Sequence, residues 1–172
     1  ADWPFVLKLL IDEMEEHMFS EETIRSYFMA QQRLGGLVPE FAFVNLQTDQ
    51  NSSEIALVMR KVEITDISTQ ISKAFKEGNI EQSKEYIKEM LQLLIRVIRR
   101  GVFPIDSKFS NFGLIDGRVS FLDPGFVEDF YEDRSLREMK SIISQNYNFL
   151  FLGLESEELG KFYLEEVDRQ GL

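Results

Sequence analysis

Apolar residues recur along this chain with two different periods, and each change of period marks a new element. The first run, Trp3-Pro4-Phe5-Val6-Leu7-Lys8-Leu9-Leu10, is short and apolar with one Lys inside it. That suits an internal strand, with a helix extending toward Met14 as the competing assignment. Ser20 before Glu21 and Glu22 reads as a helix N-cap with carboxylates in the first turn. Ile24, Tyr27, Phe28 and Leu34 follow, and Gly35-Gly36 closes a helix over 20–34. Two strand-like runs, Phe41 to Leu46 and Glu54 to Met59, flank the polar cluster Thr48-Asp49-Gln50-Asn51-Ser52-Ser53, so they are predicted to pair antiparallel.

Beyond Arg60-Lys61-Val62-Glu63 the period becomes helical. Ile67, Ile71 and Phe75 lie at i, i+4 and i+8 and predict a short amphipathic helix ended by Gly78. The strongest pattern runs from Ile80 to Arg100, where Ile80, Ile87, Leu91, Leu94 and Ile98 share a face and Gly101 supplies the stop. A loop then leaves through Gly101-Val102-Phe103-Pro104. In the run 111–123 the centre is Asp116-Gly117, the dipeptide best suited to a two-residue hairpin turn, and it sets Phe112, Leu114, Val119 and Phe121 on one face. Arg134 to Asn148 and Glu155 to Gln170 are helical by period, with no internal repeat.

Composition narrows the class. A chain of 172 residues that is 44% hydrophobic and carries 15 Phe can bury one good core, and we read a single globular unit over 1–172. A net charge of −11 and a pI near 4.6 oppose nucleic acid and anionic membrane surfaces, and leave a protein partner as the macromolecule such a surface suits. The absence of Cys removes disulfides and thiolate metal sites, and His17 is alone. The most apolar runs, Leu91 to Ile98 and Phe149 to Leu154, fall well short of the roughly 20 residues of a membrane span. The chain begins Ala-Asp-Trp without Met or a charged-then-apolar leader, which reads as a processed or trimmed product, and the expected location is the cytoplasm.

Candidate chemistry gathers around the hairpin. With Asp116-Gly117 as its turn, residue 115 faces 118, 113 faces 120, and 111 faces 122, so Asn111 and Asp123 are brought together. An amide oxygen and a carboxylate at that separation suit a hard cation, Mg²⁺ before Ca²⁺. Asp106, on the loop upstream of Asn111, can accept the proton of an attacking hydroxyl, and Lys108 can offset the charge of a phosphoryl group in transfer. Taken singly, Asp116-Gly117 is only a turn, Asn111 a loop cap and Lys108 a solvated charge; the set in this order points to phosphoryl transfer.

Helix, short loop, Asp-x-Lys-x-x-Asn, hairpin and Asp-x-Gly, in that order, resemble the catalytic loop and metal-binding segment of the protein-kinase-like superfamily. The likeness in order covers nearly the whole chain and is specific over Ile80 to Phe126. It implies an α+β, kinase-like fold: a reduced N-lobe of antiparallel strands over 1–62 and a mainly helical C-lobe over 63–172. It also implies ATP and Mg²⁺ as cofactors, with Asp106 as base, Lys108 at the γ-phosphate, and Asn111 and Asp123 as metal ligands. Phe5-Val6-Leu7-Lys8 resembles the Lys-bearing strand, with Lys8 on the α/β-phosphates, and Glu54 to Glu63 resembles the strand that places Arg60, Lys61 and Val62 near the adenine. The acceptor would be a hydroxyl of a small molecule or a protein.

The chain departs from that pattern in several places. Pro104-Ile105 stands where His-Arg precedes the catalytic Asp, Asp123-Pro124-Gly125 replaces Asp-Phe-Gly, and no Ala-Pro-Glu follows. These departures favour an atypical or small-molecule-kinase-like member without a long regulated activation segment. No glycine-rich loop lies in the seven residues before Lys8, and the mid-helix positions that would supply a Glu to Lys8 are Tyr27, Phe28 and Gln31, with Glu22 back in the first turn. Two other readings follow: a pseudokinase or regulatory binding module, and a purely helical interaction protein that would lack strands at 41–46, 54–59 and 112–122.

Overall fold

The computed structural model describes residues 5–9, 21–47, 53–60, 66–104, 107–115, 117–122, 127–129 and 132–172. For 5–9, 21–23, 45–47, 53–55, 60, 127–129 and 132–136 the description is of the backbone. The architecture is α+β, mostly helical, with small antiparallel sheets.

The opening run forms a strand, β1 (Phe5–Leu9), and a helix, α1 (Glu21–Leu34), separates it from the strands β2 (Phe41–Gln47) and β3 (Ser53–Arg60). The three strands form one sheet in the order β1-β3-β2, all antiparallel, so β3 is central. Tyr27 of α1 is buried against this sheet beside Phe41 and Leu57, its ring edge-on to Phe41 at 5.1 Å and to Phe43 at 5.9 Å.

The helical part is organised by α3 (Ile80–Arg99), which packs on α2 (Ile67–Lys76) and α5 (Glu157–Gln170). Ile87, Leu91 and Leu94 are buried as the periodicity requires, and Met90, Leu93 and Val97 widen the stripe because α3 has neighbours on more than one side. Asn79 caps its start through Gln82 N–H, and Gly101, at φ +74°, takes the left-handed turn that stops it. The carbonyls at this end are tied to α1: Arg100 donates to the carbonyls of Arg33 and Leu34, and Arg33 donates to the Gly101 carbonyl at 3.0 Å. Each helix thus places an arginine on carbonyls at the other's C-terminal end, where the dipole favours a cation.

The segment expected to be a loop, Gly101 to Pro104, is instead partly a strand. Residues Val102–Pro104 (β4) pair antiparallel with Val127–Asp129 (β7), with Pro104 opposite Val127. The pairing resolves an accounting problem, since all of Val102, Phe103 and Pro104 are buried and buried backbone groups must find partners. Between them lies the predicted hairpin of β5 (Phe112–Ile115) and β6 (Arg118–Phe121), and α4 (Glu132–Asn148) follows β7 and runs into a single π-turn at Phe149–Gly153. The strands at 41–47, 53–60 and 112–121 remove the purely helical reading. Among the described residues no helix is long and apolar enough to cross a membrane.

The helix α2 starts at Asp66, whose carboxylate accepts the backbone N–H of Thr69 at 2.9 Å and the hydroxyls of Ser68 and Thr69. Burial pushes its pKa up, but these hydrogen bonds outweigh that, and the net shift is downward. Asp66→Ala is therefore expected to cost about 1 kcal/mol at neutral pH, as N-cap removals do. Because the folded-state pKa is the lower one, the contribution is full above the ordinary carboxylate range and is lost as pH falls through the depressed folded value. Urea denaturation of both proteins at stepped pH checks this: the gap should close on acidification.

Candidate functional site

The hairpin register agrees with the turn chemistry. Gly117 has φ +74°, Ile115 faces Arg118, Leu114 faces Val119, Gly113 faces Ser120 and Phe112 faces Phe121. The pairing continues one step past the strands, where Leu122 N–H donates to the Asn111 carbonyl at 2.8 Å. Phe112, Val119 and Phe121 are buried on one face, with the rings of Phe112 and Phe121 5.2 Å apart. The opposite row, Gly113, Ser120 and Leu122, is buried as well. Asp66, at the start of α2, forms an isolated bridge with Gly113 there. The site end of the hairpin is thus held on both faces.

Upstream of the hairpin, buried and exposed residues alternate. Ser107 is buried, Lys108 is exposed and extended (φ −79°, ψ 157°), and Phe109 is buried at the start of a 3₁₀ turn, Phe109–Asn111. The Ser107 hydroxyl donates to the Pro104 carbonyl at 2.6 Å and ties this segment back to the end of β4. Phe109 is anchored between Phe149 and Tyr163, at ring distances of 5.6 Å and 5.9 Å. On the entry side Phe103 is buried with Leu94, Met139 and Ile142, so the loop is fixed by α3 and α4 before it begins and by the main core after it ends.

One residue that sequence reasoning missed holds this loop together. The side chain of Asn146, on α4 and only 2% exposed, accepts Phe109 N–H at 3.1 Å and donates to the Ser107 carbonyl at 3.1 Å. Tyr163 is buried as well, and burial pushes its phenol well above its ordinary pKa while the Asn146 amide pulls the other way. A signal was present: Met139, Ile142, Asn146 and Leu150 form the buried stripe of α4 and its continuation, with an amide standing where the pattern asks for an apolar group.

Of the residues singled out from the sequence, the structure brings together Lys108 and Asn111, at the two ends of one 3₁₀ turn, with Asn111 N–H donating to the Lys108 carbonyl at 2.9 Å. Asn111 is partly buried and Lys108 exposed. Asp106 and Asp123 lie outside the described residues, next in sequence to Ser107 and Leu122. Lys8 occupies the register position opposite Leu57, on the strand beside β3, and Arg60 ends β3 opposite Phe5; Lys61 and Val62 lie outside the described residues. Glu22 falls in the first turn of α1. Among the described residues no group of three or more acidic or His side chains could hold a metal ion.

Removing the Ser107 hydroxyl should loosen the loop locally. Ser107→Ala is expected to cost about 1–2 kcal/mol in urea denaturation, the usual range for a buried hydrogen bond whose acceptor is left without its partner. No protein-family model matches the chain, and no curated protein is significantly similar to it.

Proposed function

We propose that this chain is an ATP- and Mg²⁺-dependent phosphotransferase of kinase-like fold, with a reduced N-lobe over 1–62 and a helical C-lobe over 63–172, acting on a hydroxyl of a small molecule or a protein. The observation that carries the reading is the hydrogen bond from Leu122 N–H to the Asn111 carbonyl at 2.8 Å. It puts Asn111 opposite the residue that immediately precedes Asp123, and consecutive Cα atoms are only about 3.8 Å apart. Asn111 and Asp123 then offer an amide oxygen and a carboxylate, donors of the hard type that Mg²⁺ takes together with phosphate oxygens and water. Bound there, the ion would neutralise charge on the phosphates.

The remaining roles belong to side chains of the same loop and of the sheet. Asp106 takes the proton of the acceptor hydroxyl, and the Lys108 ammonium balances the charge on the phosphoryl group. The pairing of β4 with β7 favours this arrangement, because Pro104 faces Val127 and the two segments that carry Asp106 and Asp123 leave the ladder at the same end. The adjacency of β1 and β3 favours the nucleotide half of the reading. It puts the strand bearing Lys8, for the α/β-phosphates, next to the strand that leads into Arg60, Lys61 and Val62, for the adenine.

One observation favours the second reading, a pseudokinase or regulatory binding module. Lys8 shares a cross-strand row with Leu57 and Phe43, and the α1 residue buried over that row is Tyr27, not a carboxylate. An aromatic ring at that place favours packing over phosphate binding.

Purified chain with Mg²⁺ and ATP tests the two readings together. The phosphotransfer reading expects measurable ATP turnover that falls about 10²- to 10⁴-fold in Asp106→Ala, the range for loss of a general base, and disappears in Asp123→Ala. It also expects Mg²⁺ and ATP together to raise the melting temperature. No turnover and an unmoved melting temperature would leave the binding-module reading in its place.

A further inference from the structure

Asn146 does more than fill a polar gap, because of which backbone groups it grips. The Ser107 carbonyl belongs to the peptide unit that enters Lys108, and the Phe109 N–H belongs to the peptide unit that leaves it. One side chain therefore holds both peptide planes that meet at the Lys108 Cα, with contacts of 3.1 Å on each. The rotations between those planes are the φ and ψ of Lys108, and fixing both planes fixes the direction in which its side chain departs. The observed result is an extended Lys108, exposed between the buried residues Ser107 and Phe109.

We propose that Asn146 is a positioning residue that presents Lys108 to the transferring phosphoryl group. The kinetic half of this inference rests on the phosphotransfer reading; the structural half rests on the clamp alone. Asn suits the position because one short side chain carries both an acceptor and a donor. Leu keeps the volume and loses both bonds, whereas Asp as a carboxylate keeps the acceptor for Phe109 and loses the donor for Ser107. The clamp sits in a packed setting, because Phe109 lies against the ring of Tyr163 of α5. Lys108 is thereby set from α4, which packs on α5.

Three variants of the full chain separate positioning from plain stability. Asn146→Leu and Asn146→Asp alter the clamp, and Ala30→Gly, buried in the middle of α1, serves as a control destabilised by helix propensity. NMR hydrogen exchange reads the Phe109 amide, and steady-state kinetics read kcat and KM for ATP. In Asn146→Leu the Phe109 amide is expected to exchange at least about tenfold faster relative to the amides of α3, as a local opening would produce. In the same variant kcat is expected to fall about 10- to 100-fold, the scale of a group misplaced by an ångström, with KM for ATP little changed. In Asn146→Asp the Phe109 amide should stay protected while kcat still falls, because only the Ser107–Lys108 peptide is released; this variant carries the test if Asn146→Leu does not fold. The Ala30→Gly control should keep its kcat per folded molecule. Clamp variants whose Phe109 exchange and kcat match the control overturn the proposal. A wild-type chain with no ATP turnover sinks the phosphotransfer reading instead, and Phe109 exchange then decides the clamp by itself.

Discussion

The hydrogen bond between Leu122 N–H and the Asn111 carbonyl sets the geometry on which the site depends. Side chains alternate along a strand, so a register slip of one residue would move every residue of β6 to the other face and place Ser120 where Phe121 now lies beside Phe112. The slip is prevented from two directions. The pairing of Ile115 with Arg118, with Gly117 at φ +74° between them, fixes the count, and burial of Phe112, Val119 and Phe121 fixes the face. The backbone of Asn111 owes its position to these distant constraints.

The loop before the hairpin is held by a different means. Its described residues form no strand ladder, and polar backbone groups there are met by side chains: the Ser107 hydroxyl on the Pro104 carbonyl, and the Asn146 amide on the Ser107 carbonyl and the Phe109 N–H. Aromatic packing of Phe109 with Phe149 and Tyr163 brings the same segment into the core of α3 and α5. A loop that is pinned in this way can expose a single cation at a fixed place, which a solvated loop cannot do without losing conformational entropy on each binding event. The arginine pair of α1 and α3 extends this rigidity toward the small sheet, since Arg33 grips the Gly101 carbonyl at the root of β4.

The sequence made the elements legible where local chemistry decides them. The helix over 67–76, the long helix from Ile80, the hairpin register and the two strands around 41–47 and 53–60 followed from period, caps and a turn dipeptide. Pairing of Val102–Pro104 with Val127–Asp129 was not legible, because two strands of three residues have no readable period and their partnership is a matter of tertiary contact. Asn146 escaped for a related reason. Its place on the apolar stripe of α4 was visible, but its partners, at Ser107 and Phe109, come from far along the chain. Of the candidate site, the hairpin end was readable from the sequence, and the device that presents Lys108 was not.

The central claim is that a divalent cation with nucleotide binds at the base of the hairpin, between Asn111 and the residue after Leu122. Paramagnetic NMR tests it directly, with Mn²⁺ and ATP in place of Mg²⁺ and ATP. The account predicts that the amide signals of Asn111, Phe112 and Leu122 broaden away only when nucleotide is present, while those of α5 beyond Tyr163 stay sharp. Sharp hairpin amides in the presence of both, or broadening that does not depend on ATP, would contradict it.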